Sequence, residues 1–279
     1  MRTKSELRGV ENMGQKSSKT TDELIEELAD LIIESKQLVV FTGAGISTES
    51  GLPDFRGPDG LWTKLDQTGF SPDDFTYQKY LKSPEARKRL WQMQKNFKFP
   101  WGDVEPNLAH HAVAELERIG KLDCVITQNV DGLHQKAGSS EDKVIQLHGN
   151  MEWIKCLSCG KRYRLEDVIE WLEVPECPDC KGILKSEGVF FGEPMPVWET
   201  TEAQKRSSMC DLCVVIGSSL VVYPAALMPQ YALQSGAKLA IINEGSTELD
   251  RVAHIRIWDK AGEVMSQVLS RVKSKLGIN

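Results

Sequence analysis

The sequence predicts an α/β fold, a doubly wound parallel sheet with a small satellite lobe. Three observations carry that expectation. Six short runs are rich in β-branched residues and almost continuously apolar, at 37–42, 123–127, 143–147, 212–217, 238–243 and 254–258. Strands covered by helices on both faces have this character, whereas half-exposed strands alternate. Helical patterns fall between the runs, at 21–36, 109–120, 224–236 and 261–276. Two stretches break the alternation, an aromatic-rich one at 59–105 and one with paired cysteines at 151–187, and both read as insertions that build a second lobe.

The elements follow in order. Residues 1–20 are polar with no apolar period, the pattern of a mobile tail. From Thr21, TDELIEELADLIIESK places Leu24, Ile25, Leu28, Leu31 and Ile32 on one face, with acidic residues in the first turn where the helix dipole favours them. The first strand then opens into FTGAGISTESGLPDFRG at 41–57. Gly43 and Gly45 allow a tight turn and close backbone approach to a pyrophosphate, whose charge the following helix N-terminus would welcome. Thr48 stands where a third glycine is usual, so the turn by itself is equally a plain β-to-α connection. Phe55 and Arg56 would ordinarily be a packing residue and a surface charge, but their adjacency in a Gly- and Pro-rich loop favours ligand contact.

The helix at 109–120 stops at Gly120 with Arg118 in its last turn. The strand after it ends in TQNVDGLH, and in an open α/β sheet the ligand crevice lies outside the carboxyl ends of the strands. Gln128, Asn129 and Asp131 fall there, although Asn-Val-Asp-Gly is also ordinary turn chemistry. The third strand ends in LHGN. A histidine at a strand terminus facing a crevice, with an unperturbed pKa of about 6.5, is a ready general base, which singles out His148. His110, His111 and His254 read as packing or surface residues.

Cys156-x-x-Cys159 and Cys177-x-x-Cys180 have the spacing of a tetrahedral zinc site, in which four thiolates leave no position for water. That spacing predicts a structural zinc. Cys124, Cys210 and Cys213 lie in or beside apolar strands and read as buried thiols. The 279 residues are 41% apolar and 27% charged, enough for a substantial core. No run is long and apolar enough for a membrane span, and the first twenty residues lack the apolar centre of a secretory signal. A reducing, cytoplasmic setting is the expectation. A formal charge of -6 argues against broad nucleic-acid binding and leaves room for a basic partner such as a lysine-rich peptide.

With these motifs on the page, residues 21–275 resemble the sirtuins, the NAD-dependent protein lysine deacylases. GAGISTESGLPDFRG is similar to the family's cofactor loop, TQNVDGLH to its nicotinamide pocket, LHGN to the segment with its catalytic histidine, and the cysteine pairs to its zinc module. The resemblance implies a Rossmann-like NAD domain from 21–58, 106–150 and 188–279, with 59–105 and 151–187 as the small lobe. It implies that His148 activates a ribose hydroxyl after nicotinamide has left, so that lysine and O-acyl-ADP-ribose are the products. It assigns the dinucleotide to Gly43, Ala44, Thr48, Phe55, Arg56, Gln128, Asn129, Val130, Asp131, Gly217, Ser218, Ser219, Asn243, Glu244 and Ala261. An acylated lysine in an extended peptide would lie between Val189, Phe190, Phe191 and Gly192 on one side and Leu220, Val221 and Val222 on the other. Ser186 departs from the family, which often has Pro there, and RLWQMQK at 89–95 lacks the Tyr and Arg three apart that mark removal of acidic acyl groups. Mono-ADP-ribosyl transfer and non-catalytic sensing of NAD are the rival readings.

Overall fold

The computed structural model describes residues 19–55, 57, 60–66, 69–96, 104–170 and 174–278. Residues 1–18 of the tail expected at 1–20, Arg56, and Phe97, Phe99 and Trp101 of the aromatic stretch lie outside the described residues.

Helix α1 (Thr21–Glu34) starts in a capping box, in which the Thr20 hydroxyl accepts from the Glu23 N–H and the Glu23 carboxylate from the Thr20 N–H. Strand β1 (Leu38–Thr42) follows, then a 3₁₀ turn at Ala44–Ser50. Helices α2 (Leu61–Asp66), α3 (Tyr77–Lys82) and α4 (Pro84–Asn96) form the helical insertion. Next come α5 (Leu108–Arg118), β2 (Leu122–Thr127), α6 (Leu133–Lys136) and β3 (Val144–Gln146). The cysteine segment contributes β4 (Trp153–Cys156), β5 (Arg162–Arg164), α7 (Leu165–Val168) and β6 (Leu184–Ser186). The chain closes with α8 (Val197–Met209), β7 (Leu212–Ile216), α9 (Leu227–Gln234), β8 (Lys238–Ile242), β9 (Ile255–Ile257) and α10 (Ala261–Leu276).

The main sheet has the order β3-β2-β1-β7-β8-β9, every neighbour parallel. All six sequence-predicted strands are present in it. Their continuous apolarity has the expected cause. In β1, Leu38 and Val40 join a core with α1, α5 and α10, while Val39 and Phe41 join a second core with α8 and α9. The order reverses direction between β1 and β7, and ligand crevices of open α/β sheets form at that switch point.

Helix α8 was not foreseen. Only Ala203 and Ser207 of it are buried, whereas Val197 and Trp198 are exposed, so its sequence shows no apolar stripe. A second correction concerns the turn after β1. The element at the candidate pyrophosphate position is a seven-residue 3₁₀ helix rather than an α-helix, and it ends at Gly51 in the left-handed region.

The second sheet, β5-β4-β6, is antiparallel and carries the cysteines. Its core is Ile154, Cys156, Val168, Cys177 and Leu184, closed by Trp91 of α4. Tyr80, Leu90 and Met93 pack with Trp62, Phe75 and Phe190, which joins the helical insertion to the chain leaving β6. Ser186 sits inside β6 opposite Ile154.

Candidate active site and metal centre

A cavity of about 620 Å³ opens at the switch point, between the carboxyl ends of the main strands and the small lobe. Its floor is built by glycine. The Gly45 N–H donates to the Gly217 carbonyl at 2.8 Å, and the Gly43 N–H donates to Ile216 at 3.1 Å. Gly217 has φ +63°, and a Cβ there would lie 2.1 Å from the Ile46 nitrogen. A Cβ on Gly45 would lie 2.7 Å from the Gly217 Cα. Two glycine turns therefore interlock, one from each strand of the switch point, and this leaves a backbone cradle open to a ligand. Glu49 adds a third strand end by accepting the Gly262 N–H at 2.6 Å, which holds the start of α10, with Ala261, against the same cavity.

On the β2 side, the Asn129 side-chain amide donates to the Gly43 carbonyl (3.1 Å) and to Ser47 Oγ (3.3 Å). The Ser47 hydroxyl donates to Asp131 Oδ2 at 2.8 Å, and the Leu133 N–H donates to Asp131 Oδ1. Burial pushes the Asp131 carboxyl above the usual range, and those two hydrogen bonds oppose the shift. Gln128 Nε2 donates to Ser218 Oγ at 2.8 Å, tying the β2 and β7 ends together. His148 Nδ1 lies 2.9 Å from the Gln128 carbonyl. A carbonyl only accepts, so Nδ1 carries the proton and Nε2 keeps the lone pair. Burial lowers the pKa of His148, partly offset by that hydrogen bond, and the ring is neutral at pH 7.

The structure brings the sequence-predicted residues together with two exceptions. Gly43, Ala44, Thr48, Phe55, Gln128, Asn129, Val130, Asp131, His148, Val189, Phe190, Phe191, Gly192, Gly217, Ser218, Ser219, Val221, Asn243, Glu244 and Ala261 all line the cavity. Leu220 does not, being turned into the core at φ +58° and 2% exposed; Val222 lines the cavity as expected, and Tyr223, which was not foreseen, joins it on the wall. Arg56 lies outside the described residues.

Three residues were missed. Ser47 joins Asn129 to Asp131. His110, read above as packing or surface, is fully buried with Nε2 3.5 Å from Ser47 Oγ, and its ring meets His134 edge-on at 5.1 Å. His134 Nε2 lies 3.0 Å from the Thr42 hydroxyl. The one available signal was Asn107-x-x-His110, a capping box that turns the His110 ring inward at the start of α5.

The four zinc-candidate sulfurs all lie within 4.8 Å of one another, and none is in a disulfide. Zinc–sulfur bonds of about 2.3 Å in a tetrahedron require sulfurs about 3.8 Å apart. Cys156 and Cys180 are 3.5 Å apart, and Cys159 and Cys177 are 3.7 Å apart. The donor set fits zinc. Each pair sits in the same local turn, with the Cys156 and Cys177 carbonyls accepting from the Gly160 and Lys181 N–H groups four residues on. Both of those residues are left-handed, Gly160 at φ +76° and Lys181 at φ +60°.

Comparison with known proteins gives the same answer. An NAD-dependent protein deacetylase of Thermodesulfovibrio yellowstonii is 46% identical over 257 residues, covering 91% of this chain and 97% of that protein. A solved Sir2–p53 peptide–NAD+ complex is 42% identical with a TM-score of 0.79, covering 91% of this chain and 99% of the other. A solved Sir2 complex with deacetylated p53 peptide and 3'-O-acetyl ADP-ribose matches over the same shares, at 42% identity and a TM-score of 0.81. The Sir2 family pattern itself covers residues 43–224, from the first glycine of the cradle to Pro224 on the cavity wall, and the chain therefore belongs to the Sir2 family.

Proposed function

We propose that this protein is an NAD-dependent protein lysine deacetylase, with His148 as general base, that works in the cytoplasm on acylated lysine in extended peptide segments. The observation that carries the reading is the position of His148. Its Nδ1–H is held by the Gln128 carbonyl and its ring lines the cavity between the glycine cradle and segment 188–193. Bound NAD would supply the electrophilic ribose carbon that accepts the acyl oxygen, with nicotinamide and O-acyl-ADP-ribose as products.

The chain's own residues do the rest. Gly43, Gly45 and Gly217 give the backbone approach that a pyrophosphate needs, and Ser218 and Ser219 lie beside it. Asn129 and Asp131, fixed through Ser47, present an amide and a carboxylate where nicotinamide and its ribose would bind. The neutral His148 ring takes a hydroxyl proton at Nε2 and, once charged, keeps its Nδ1–H on Gln128. Trp62, Phe75, Phe190 and Phe191 wall the entrance for the acyl chain, and no Lys or Arg lines the cavity among the described residues.

The test is incubation with NAD and an acetyl-lysine peptide. Deacetylation matched mole for mole by nicotinamide release supports the reading. Label transferred from NAD to protein without deacetylation would favour ADP-ribosyl transfer, and no reaction would reject catalysis.

A further inference from the structure

Lys185 is the only buried lysine among the described residues, 2% exposed, at the centre of β6. An ammonium taken out of water needs a partner for each of its three N–H bonds. Lys185 has them. Nζ donates to the Ser186 carbonyl (2.8 Å), to the Gly188 carbonyl (2.7 Å) and to Glu193 Oε2 (2.9 Å). It also lies 4.3 Å from the centre of the Phe190 ring.

These partners form a pattern. Gly188 opens and Glu193 closes the segment that faces the cavity, so one buried cation spans it from end to end. Glu193 Oε2 also accepts the Phe190 N–H at 2.9 Å, which folds the segment over the ammonium. The Val189 N–H donates to the His148 carbonyl at 2.9 Å, and Phe191 exchanges both of its backbone groups with Phe75 and Tyr77. Within the segment, the Val189 carbonyl and both groups of Gly192 have no backbone partner among the described residues, and at its ends neither have the Gly188 N–H and the Glu193 carbonyl. Those are the groups an added strand would use.

We propose that Lys185 is a positioning residue for the acyl-peptide. Its ammonium, joined to the Gly188 carbonyl and the Glu193 carboxylate, sets the shape in which segment 188–193 presents Val189 and Gly192 to the substrate backbone. The inference rests on the deacetylase reading and extends it to a residue that touches neither substrate nor cofactor. Removing the clamp should weaken peptide binding and leave the glycine cradle, on the other wall, unchanged.

The experiment compares the wild type with the Lys185→Met/Glu193→Gln double variant, which leaves no orphaned charge. Binding of an acetyl-lysine peptide and binding of NAD are titrated separately, with zinc content and Tm as controls of folding. The expected result is a peptide Kd raised about tenfold, the equivalent of one charge-assisted hydrogen bond, with the NAD Kd within about twofold. Lys185→Arg, which keeps a cation and its donors, should restore most of the peptide affinity. If the double variant does not fold, Glu193→Gln alone carries the same comparison. An unchanged peptide Kd in a folded variant overturns the inference, as does a loss of NAD affinity in step with peptide affinity. A wild type that binds no acetyl-lysine peptide would instead overturn the deacetylase reading and this inference with it.

Discussion

Alanine at Gly217 should disable cofactor binding by a route that can be separated from mere instability. Two costs arise. At φ +63° an L side chain is strained by about 1–2 kcal/mol. The new Cβ would also lie 2.1 Å from the Ile46 nitrogen, about 1.3 Å short of the 3.4 Å at which ordinary contact begins. Backbone cannot rotate away as a side chain can, so the turn at 43–46 must retreat, and the 2.8 Å Gly45 to Gly217 hydrogen bond with it. Crowding of this kind adds about 1–3 kcal/mol. The control is Gly236→Ala. Gly236 is also left-handed, at φ +90°, but nothing lies within 4 Å of its added Cβ, so it carries the strain without the collision. At about 2–4 °C per kcal/mol for a chain near this size, the control should lower Tm by about 2–8 °C and Gly217→Ala by more. Calorimetric titration should find NAD affinity unchanged in the control and reduced at least about tenfold in Gly217→Ala, which corresponds to about 1.4 kcal/mol. Equal NAD affinities in the two variants would refute the argument that the interlocked turns are the cradle.

The remaining expectations are briefer. His148→Ala should slow deacetylation about 100- to 10,000-fold while NAD still binds, and NAD affinity lost in proportion to rate would make the residue structural. Metal analysis should find one zinc per chain. Cys156→Ala or Cys177→Ala should lower zinc content and small-lobe stability with the main sheet intact; a zinc-free double variant with full activity would sink the role assigned to the metal. Since no cation lines the described cavity, acetyl- and butyryl-lysine should react and succinyl-lysine poorly, and equal initial rates on one peptide would reveal a hidden cation. Burial lowers the pKa of His110 to about 4 and that of His134 to about 3, so the unfolded chain binds protons below about 6.5 that the folded chain refuses. Unfolding free energy from urea titrations should be level above that pH and fall between pH 6.5 and 5, before carboxylates of ordinary pKa titrate; the profile is read in an Asp131→Asn background, because the raised Asp131 carboxyl works in the opposite sense, and a level profile there would remove burial as the cause.

The main sheet was legible because its strands are buried on both sides, and Leu38 through Phe41 meet that condition with apolar side chains alone. The zinc site was legible because its chemistry fixes a spacing along the chain. Helix α8 was not, since a helix that buries only Ala203 and Ser207 leaves no period to detect. The cradle was half legible. Gly43 and Gly45 announce a tight turn, but nothing local says that Gly217 must fit between them. His110 and Lys185 illustrate the same gap. Each looks like a surface residue until a partner distant in sequence is brought against it, Ser47 in one case and the folded-back Glu193 in the other.

The seven cysteine thiols fall into two populations that an alkylating reagent would resolve in time. Cys124, Cys210 and Cys213 share the core under α8 and α9, and burial pushes the first two thiols up to about 12 and the third well above its ordinary value. They can react only when the sheet itself opens. Cys159 and Cys180 stand at the surface and are protected by whatever their thiolates hold. A chelator should therefore release four fast-reacting thiols while three stay silent, and heat should release the three together. One labelling time course thus measures metal retention and global opening as separate rates, without any introduced probe.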